Sequence, residues 1–168
     1  NQKKSVYSPA LLAFDQTVNG YRVGEIGLGT YVQSLMPQPG RSAPLTHLFL
    51  QATALERDLN FDQVEKERGL LVKALTQRLN PQETNILISD SLAYRAGRLG
   101  YADFYGRLLK TCERVGVPLS RYPAMDAYVR YVLLAEGIDP EGLQKELHAL
   151  EKATFSRLSQ REEERSLI

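Results

Sequence analysis

Asn80-Pro81-Gln82-Glu83 holds, in four residues, the devices that start an α-helix. The Asn80 side chain is an acceptor for an orphan backbone N–H, and Pro81 falls at the first helical position, where its missing N–H costs nothing. Glu83 brings negative charge to the positive end of the helix dipole. Asp139-Pro140-Glu141-Gly142 repeats the pattern further along the chain. Asn60-Phe61-Asp62-Gln63 gives a third start, with Asn60 as cap and Gln63 placed to reach back in a capping box. Gly100, Gly116 and Gly137 read as stops, positions where glycine can take the left-handed conformation that ends a helix.

Between these marks the apolar residues recur at helical spacing. Leu28, Tyr31, Val32, Leu35 and Met36 form one stripe, and Leu45, Leu48, Phe49, Ala52, Leu55 and Leu59 a second. Val64, Leu71, Leu75 and Leu79 follow Asn60; Ile86, Leu87, Ala93 and Tyr94 follow Pro81; Tyr101, Phe104, Tyr105, Leu108 and Cys112 follow Gly100. Pro123 opens a helix with Met125, Val129 and Val132, and Asp139 one with Leu143, Leu147, Leu150 and Leu158. No segment sustains the period-two alternation of a half-buried strand, and Asn19-Gly20 lies between helical patterns rather than between strands. The reading is all-α, a compact bundle of about seven helices with short loops and no sheet.

One all-helical domain over 1–168 is expected: an N-terminal arm and helix over 1–44, ending in the loop Pro37-Gln38-Pro39-Gly40-Arg41-Ser42-Ala43-Pro44, and a main bundle over 45–168. Arg161-Glu162-Glu163-Glu164-Arg165 reads as a solvated, fraying end. The chain starts at Asn1 rather than Met and reads as a piece of a longer protein. A cytoplasmic location is favoured, with a removed signal peptide as the alternative. The longest apolar runs, such as Tyr131-Val132-Leu133-Leu134-Ala135, fall far short of the roughly 20 residues that cross a bilayer.

Charge and cysteine content narrow the chemistry. Lys plus Arg number 21 against 20 Asp plus Glu, so a net charge of +1 provides no field that would draw the whole molecule to nucleic acid or anionic lipid. The single cysteine, Cys112, excludes intrachain disulfides and multi-thiolate metal sites, and its place on an apolar stripe reads as core. His47 and His148 lack a second histidine at helical metal-site spacing, and Glu146, His148 and Glu151 do not make a Glu-x-x-His ligand pair. Gly20, Gly24, Gly27 and Gly29 run G-x-x-x-G-x-x-G-x-G, not the order of a dinucleotide loop, and read as a turn or a close helix approach. No catalytic residue, metal or cofactor is assigned.

Ser91 to Lys110 is the densest stretch, mixing tyrosine, arginine and glycine. Asp90, four residues from both Ile86 and Tyr94, falls near the apolar stripe and needs a partner; Arg95, Arg98 and the Tyr94 hydroxyl are the candidates, giving a polar pocket of Asp90, Tyr94 and Arg98. Tyr94, Gly97, Ala102 and Tyr105 resemble the hairpin of a tetratricopeptide repeat, one residue short between tyrosine and glycine and with no second copy. Ala96 and Gly100 resemble a DNA-reading helix-turn-helix, with Gly106 where that pattern has a buried aliphatic residue. Neither resemblance carries a functional residue to this chain.

Tyr and Arg are the side chains most enriched at the energetic centres of interfaces. Tyr94, Arg95, Arg98, Tyr101, Tyr105 and Arg107 are therefore the expected docking face, for a protein partner or an adjacent domain of the same chain. The functional expectation is a non-catalytic helical interaction or structural module. Nucleic acid held by the basic hairpin 90–114 is the first alternative, and an enzyme or enzyme-associated domain without a local motif the second. The leucines after Asp139 also fit a short coiled-coil seam for a homodimer.

Overall fold

The start signals of the sequence become helix N-termini in the computed structural model, which describes residues 2–35 and 42–168. Among the described residues ten α-helices follow one another: α1 (Gln2–Val6), α2 (Pro9–Arg22), α3 (Leu28–Leu35), α4 (Pro44–Asp58), α5 (Phe61–Thr76), α6 (Pro81–Arg95), α7 (Tyr101–Val115), α8 (Pro123–Glu136), α9 (Pro140–Leu158) and α10 (Glu162–Arg165). A 3-10 turn (Leu119–Arg121) precedes α8, and no strand occurs among the described residues. The fold is all-α. Eight of the helices have seven residues or more, one beyond the expected seven. The addition is α2, whose start at Ser8-Pro9 is the same device as Asn80-Pro81: the Ser8 hydroxyl accepts from the Leu11 N–H at 3.3 Å. Met36 and Pro37–Arg41, from the third helix's stripe and the Pro/Gly loop, lie outside the described residues.

The local caps form where they were read, with one change. Asn80 and Glu83 close a reciprocal capping box, Asn80 Oδ1 accepting from the Glu83 N–H at 2.8 Å and Glu83 accepting from the Asn80 N–H at 2.9 Å. Asp139 accepts from the Gly142 N–H at 2.8 Å. Asn60 accepts from the Gln63 N–H, but the Gln63 amide does not reach back. It donates instead to Glu67, a buried carboxylate whose need for donors outweighs an exposed cap. The stops also differ. Gly116 takes the left-handed conformation, as expected, whereas Gly137 stays right-handed and Gly100 is the N-cap of α7. Gly97 performs the reversal after α6, at φ 70°, with the Arg98 N–H donating back to Ala93 O.

The chain divides into two compact units, Asn1–Leu50 with Ile138–Ile168, and Gln51–Gly137. In the first, Leu11, Phe14 and Val18 of α2 and Tyr31, Val32 and Leu35 of α3 pack with Leu143, Leu147, Leu150 and Phe155 of α9. The leucines expected to form a dimer seam are thus spent inside their own unit. Gly20 faces the Ile26 side chain, where an added Cβ would come within 2.8 Å, and Gly24 turns the chain at φ 80°; the glycine cluster is a tight helix-to-helix turn. In the second unit, Val64, Leu71 and Leu75 of α5 pack with Tyr105, Leu108 and Cys112 of α7 and Met125, Val129 and Val132 of α8.

The starts of α4, α7 and α8 each take a capping carboxylate from another helix, and Glu164 ties the start of its own helix to that of α2. Glu146 of α9 accepts from the N–H groups of Leu45 and Thr46 and from the Thr46 hydroxyl at the start of α4. Glu67 of α5 accepts from the Met125 N–H at 2.9 Å at the start of α8, and Glu136 of α8 accepts from the Ala102 N–H at the start of α7. Glu164, 1% exposed, accepts from the N–H groups of Ser8, Gln160 and Arg161 and from the Arg161 guanidinium. The supposedly fraying end is therefore tied down, and the Tyr7 hydroxyl donates to Leu167 O beside it.

Removing the Glu67 carboxyl strands the Met125 N–H in a buried setting. Glu67→Ala is expected to lower the unfolding free energy by about 1–3 kcal/mol in urea titrations, with Glu67→Gln losing less. Glu164 makes a pH prediction. Its carboxyl is pulled down to about 2 from an ordinary 4.5, chiefly by the Arg161 N–H, with the Arg161 side chain and the N–H groups of Ser8 and Gln160 adding to the pull. A depressed carboxyl contributes stability that is complete above 4.5 and is lost as pH falls through 2. The urea midpoint of the native chain should therefore fall more steeply between pH 5 and pH 2 than that of Glu164→Gln; parallel acid limbs would contradict the assignment.

Candidate functional site: an apolar groove on the second unit

Helix α6 is apolar on more sides than it can bury. Three consecutive apolar residues, Ile86, Leu87 and Ile88, sweep roughly 200° around a helix that turns 100° per residue, so one face cannot take them all. None of the α6 residues is fully buried; Ile86, Ile88 and Leu92 are 57, 52 and 56% exposed. Of the expected stripe over Ile86, Leu87, Ala93 and Tyr94, Leu87 and Tyr94 pack half-buried against the core and Ile86 stays exposed. What holds α6 is its capping box, two ion pairs to α7 and the Tyr94 ring.

The uncovered side of α6 forms one wall of a groove of about 510 Å³. Thr84, Leu87, Ile88, Ser91, Leu92 and Arg95 line that wall, and Arg68, Leu71, Val72 and Thr76 of α5 the other. Phe104, Tyr105 and Leu108 of α7 with Met125 and Tyr128 of α8 make the floor. The floor is closely packed: Met125 is 1% exposed and Tyr105 2%, and Tyr94 stacks on Phe104 with centroids 4.7 Å apart and planes 9° from parallel. Tyr94 and Tyr128 meet Tyr105 edge-on, with ring centroids 5.8 and 5.9 Å from its own. Burial, reinforced by these two neighbours, pushes the Tyr105 hydroxyl up, so it stays a neutral donor at physiological pH.

The expected docking residues separate into three groups. Tyr94 and Arg95 line the groove, and Tyr101 stands half-exposed with its ring edge-on to Tyr94. Tyr105 is 2% exposed and belongs to the core, because its stripe partners Leu108 and Cys112 face inward with it. Arg98, exposed in the turn after α6, and Arg107 lie outside the groove lining. The polar pocket of Asp90, Tyr94 and Arg98 does not assemble. Asp90 faces away from the groove and pairs with Arg107 of α7 at 2.9 Å, while Arg114 pairs with Glu83 at 2.6 Å. The groove residues contributed by α5 and α8 had no local signal in the sequence, since only tertiary packing brings them together.

In the first unit, Glu151 of α9 is the centre of a polar cluster. Its carboxylate accepts from Arg22 at 2.7 Å and from the Tyr31 hydroxyl, and Tyr21 stacks on Tyr31 with centroids 4.2 Å apart. Burial, ahead of the Glu151 contact, pushes the Tyr31 hydroxyl up. These contacts satisfy the carboxylate rather than prime it. His47 and His148 are both exposed, Cys112 is buried with its thiol pushed up by desolvation, and no group of three or more potential metal ligands occurs among the described residues. No helix among them is long and apolar enough to cross a membrane.

Compared with models of protein families, with curated proteins and with solved structures, the chain shows no match to any.

The Asp90–Arg107 pair has one largely exposed partner, so it orients α6 on α7 more than it stabilises it. Asp90→Asn should cost under about 1 kcal/mol in urea unfolding and leave the circular dichroism spectrum unchanged. A loss above 2 kcal/mol, roughly the level of a buried network, would make Asp90 part of the core.

Proposed function

We propose that the second unit is a docking module, and that its groove between α5 and α6 receives an apolar helical segment of a protein partner. The observation that carries this reading is the pairing of exposed apolar walls with a packed aromatic floor. Val72, Ile88 and Leu92 stay about half in water although each lines a groove whose base is fully packed. Covering each of the three recovers about 1 kcal/mol, roughly half the value of a full side-chain burial. Among the described residues there is no sheet edge to extend, so helix-in-groove is the peptide mode that this fold favours. The walls have matching length: Arg68 to Thr76 spans about 12 Å and Thr84 to Arg95 about 16 Å at the helical rise, two to three turns of a bound helix.

Nucleic acid has less support. Within the hairpin 90–114, Arg107 and Arg114 are each engaged by a carboxylate, which competes with any phosphate.

The test is selection of helical peptides from a displayed library on the full chain, followed by binding to Ile88→Glu and Leu92→Glu. Both substitutions sit at exposed positions and should preserve the fold, as circular dichroism and the urea midpoint will report. Selected peptides are expected to lose at least about tenfold in affinity on either variant, because a carboxylate would be buried in an apolar contact. Peptides that bind wild type and both variants alike, or a library that returns no binder, would overturn the reading.

A further inference from the structure

We infer that the helix received by this groove is acidic at one end, its carboxylates held by Arg95 with Arg68 beside it. The inference rests on the docking reading above and adds the chemistry and direction of the partner.

Two observations carry it. First, every charged residue lining the groove is a cation, namely Arg68 and Arg95, while its remaining polar residues are neutral. Second, the two cations share an end. The chain reverses between Thr76 and Pro81, so Thr76 and Thr84 lie near the connecting loop, and Arg68 and Arg95 lie away from it, eight and eleven residues along their helices. The groove is therefore one-sided along its length, with neutral residues at the loop end and both guanidinium groups at the other, where Arg68 is paired with Glu65 and Arg95 carries the uncompensated charge.

The two arginines differ in what they have left to give. Arg68 is engaged by Glu65 one turn back and lies over the Tyr128 ring, 5.4 Å from its centroid. Arg95 is exposed, and among the described residues it has neither an ion-pair nor a hydrogen-bond partner. A guanidinium at the rim of an apolar groove offers a planar, two-pronged donor to a carboxylate, and it keeps its charge at every physiological pH. A partner helix with basic residues at that end would meet like charge beside a desolvated wall, which disfavours it.

The experiment uses three synthetic helical peptides with one shared leucine face, spaced at i, i+4 and i+7 and three turns long. They carry two Glu, two Gln or two Lys next to one end of that face. Binding to the full chain is measured by fluorescence anisotropy at low and at moderate salt. The Glu peptide should bind about fivefold more tightly than the Gln peptide and more tightly still than the Lys peptide, with the spread narrowing as salt rises. Arg95→Glu should invert the order while leaving the Gln peptide unchanged. Moving the two Glu residues to the other end of the leucine face reverses which end lies at Arg95 and should cost the advantage, or bind in the opposite direction as read by a spin label on the peptide.

Equal affinity for all three peptides, each still weakened by Leu92→Glu, would sink the acidic-end assignment and leave the docking module standing. No binding by any peptide would remove both. Self-association of the peptide-free chain that Leu92→Glu abolishes would place a second copy in the groove and overturn the assignment as well.

Discussion

The constraint on which the rest of this structure depends is that a helix begins with N–H groups that have no partner inside the helix. In this chain four carboxylates meet that need from a distance. Glu146 reaches the start of α4, Glu67 the start of α8, Glu136 the start of α7, and Glu164 the entry to α2. Each bond does two jobs, since a carboxylate that terminates one helix also fixes where a second helix stands against it. A negative group at the positive end of a helix dipole adds to the effect. The apolar clusters provide bulk adhesion, and these carboxylates set which ends meet.

The same distinction decides what could be read in the sequence. Asn60, Asn80 and Asp139 cap helices that they begin, so residue type and spacing announce them without any tertiary knowledge. Glu67 and Met125 lie 58 residues apart, and nothing at either position announces the other. The stripes of α5, α7, α8 and α9 were legible because each has one dry face. That of α6 misled, because its apolar residues are distributed around the helix and only tertiary packing decides which stay wet. Ser8-Pro9 is the same local device as Asn80-Pro81, so the start of α2 is as legible in the sequence as that of α6, although α2 is not among the helices expected from the apolar stripes.

At the candidate site, packing divides the residues of the tyrosine and arginine stretch among different tasks. Tyr105 packs inward beneath the groove as part of its floor, Arg107 and Arg114 serve as ties between α6 and α7, and Tyr94 and Arg95 line the groove. One-dimensional charge counting treats every arginine as available. Pairing across helices removes some from that count, and what remains at the groove is a narrow cationic end on an apolar channel.

The first unit has a consequence in time. It is assembled from two stretches, Asn1–Leu50 and Ile138–Ile168, with the contiguous second unit between them in the chain. A ribosome adding about 5–20 residues per second takes roughly 4–18 s to pass from Leu50 to Ile138. Throughout that interval Leu11, Phe14, Tyr31 and Val32 exist without the α9 leucines that cover them. The second unit, by contrast, has all its partners once Gly137 has emerged. The order of synthesis thus gives the early helices a waiting period in which their apolar face lacks the α9 residues that cover it in the folded unit.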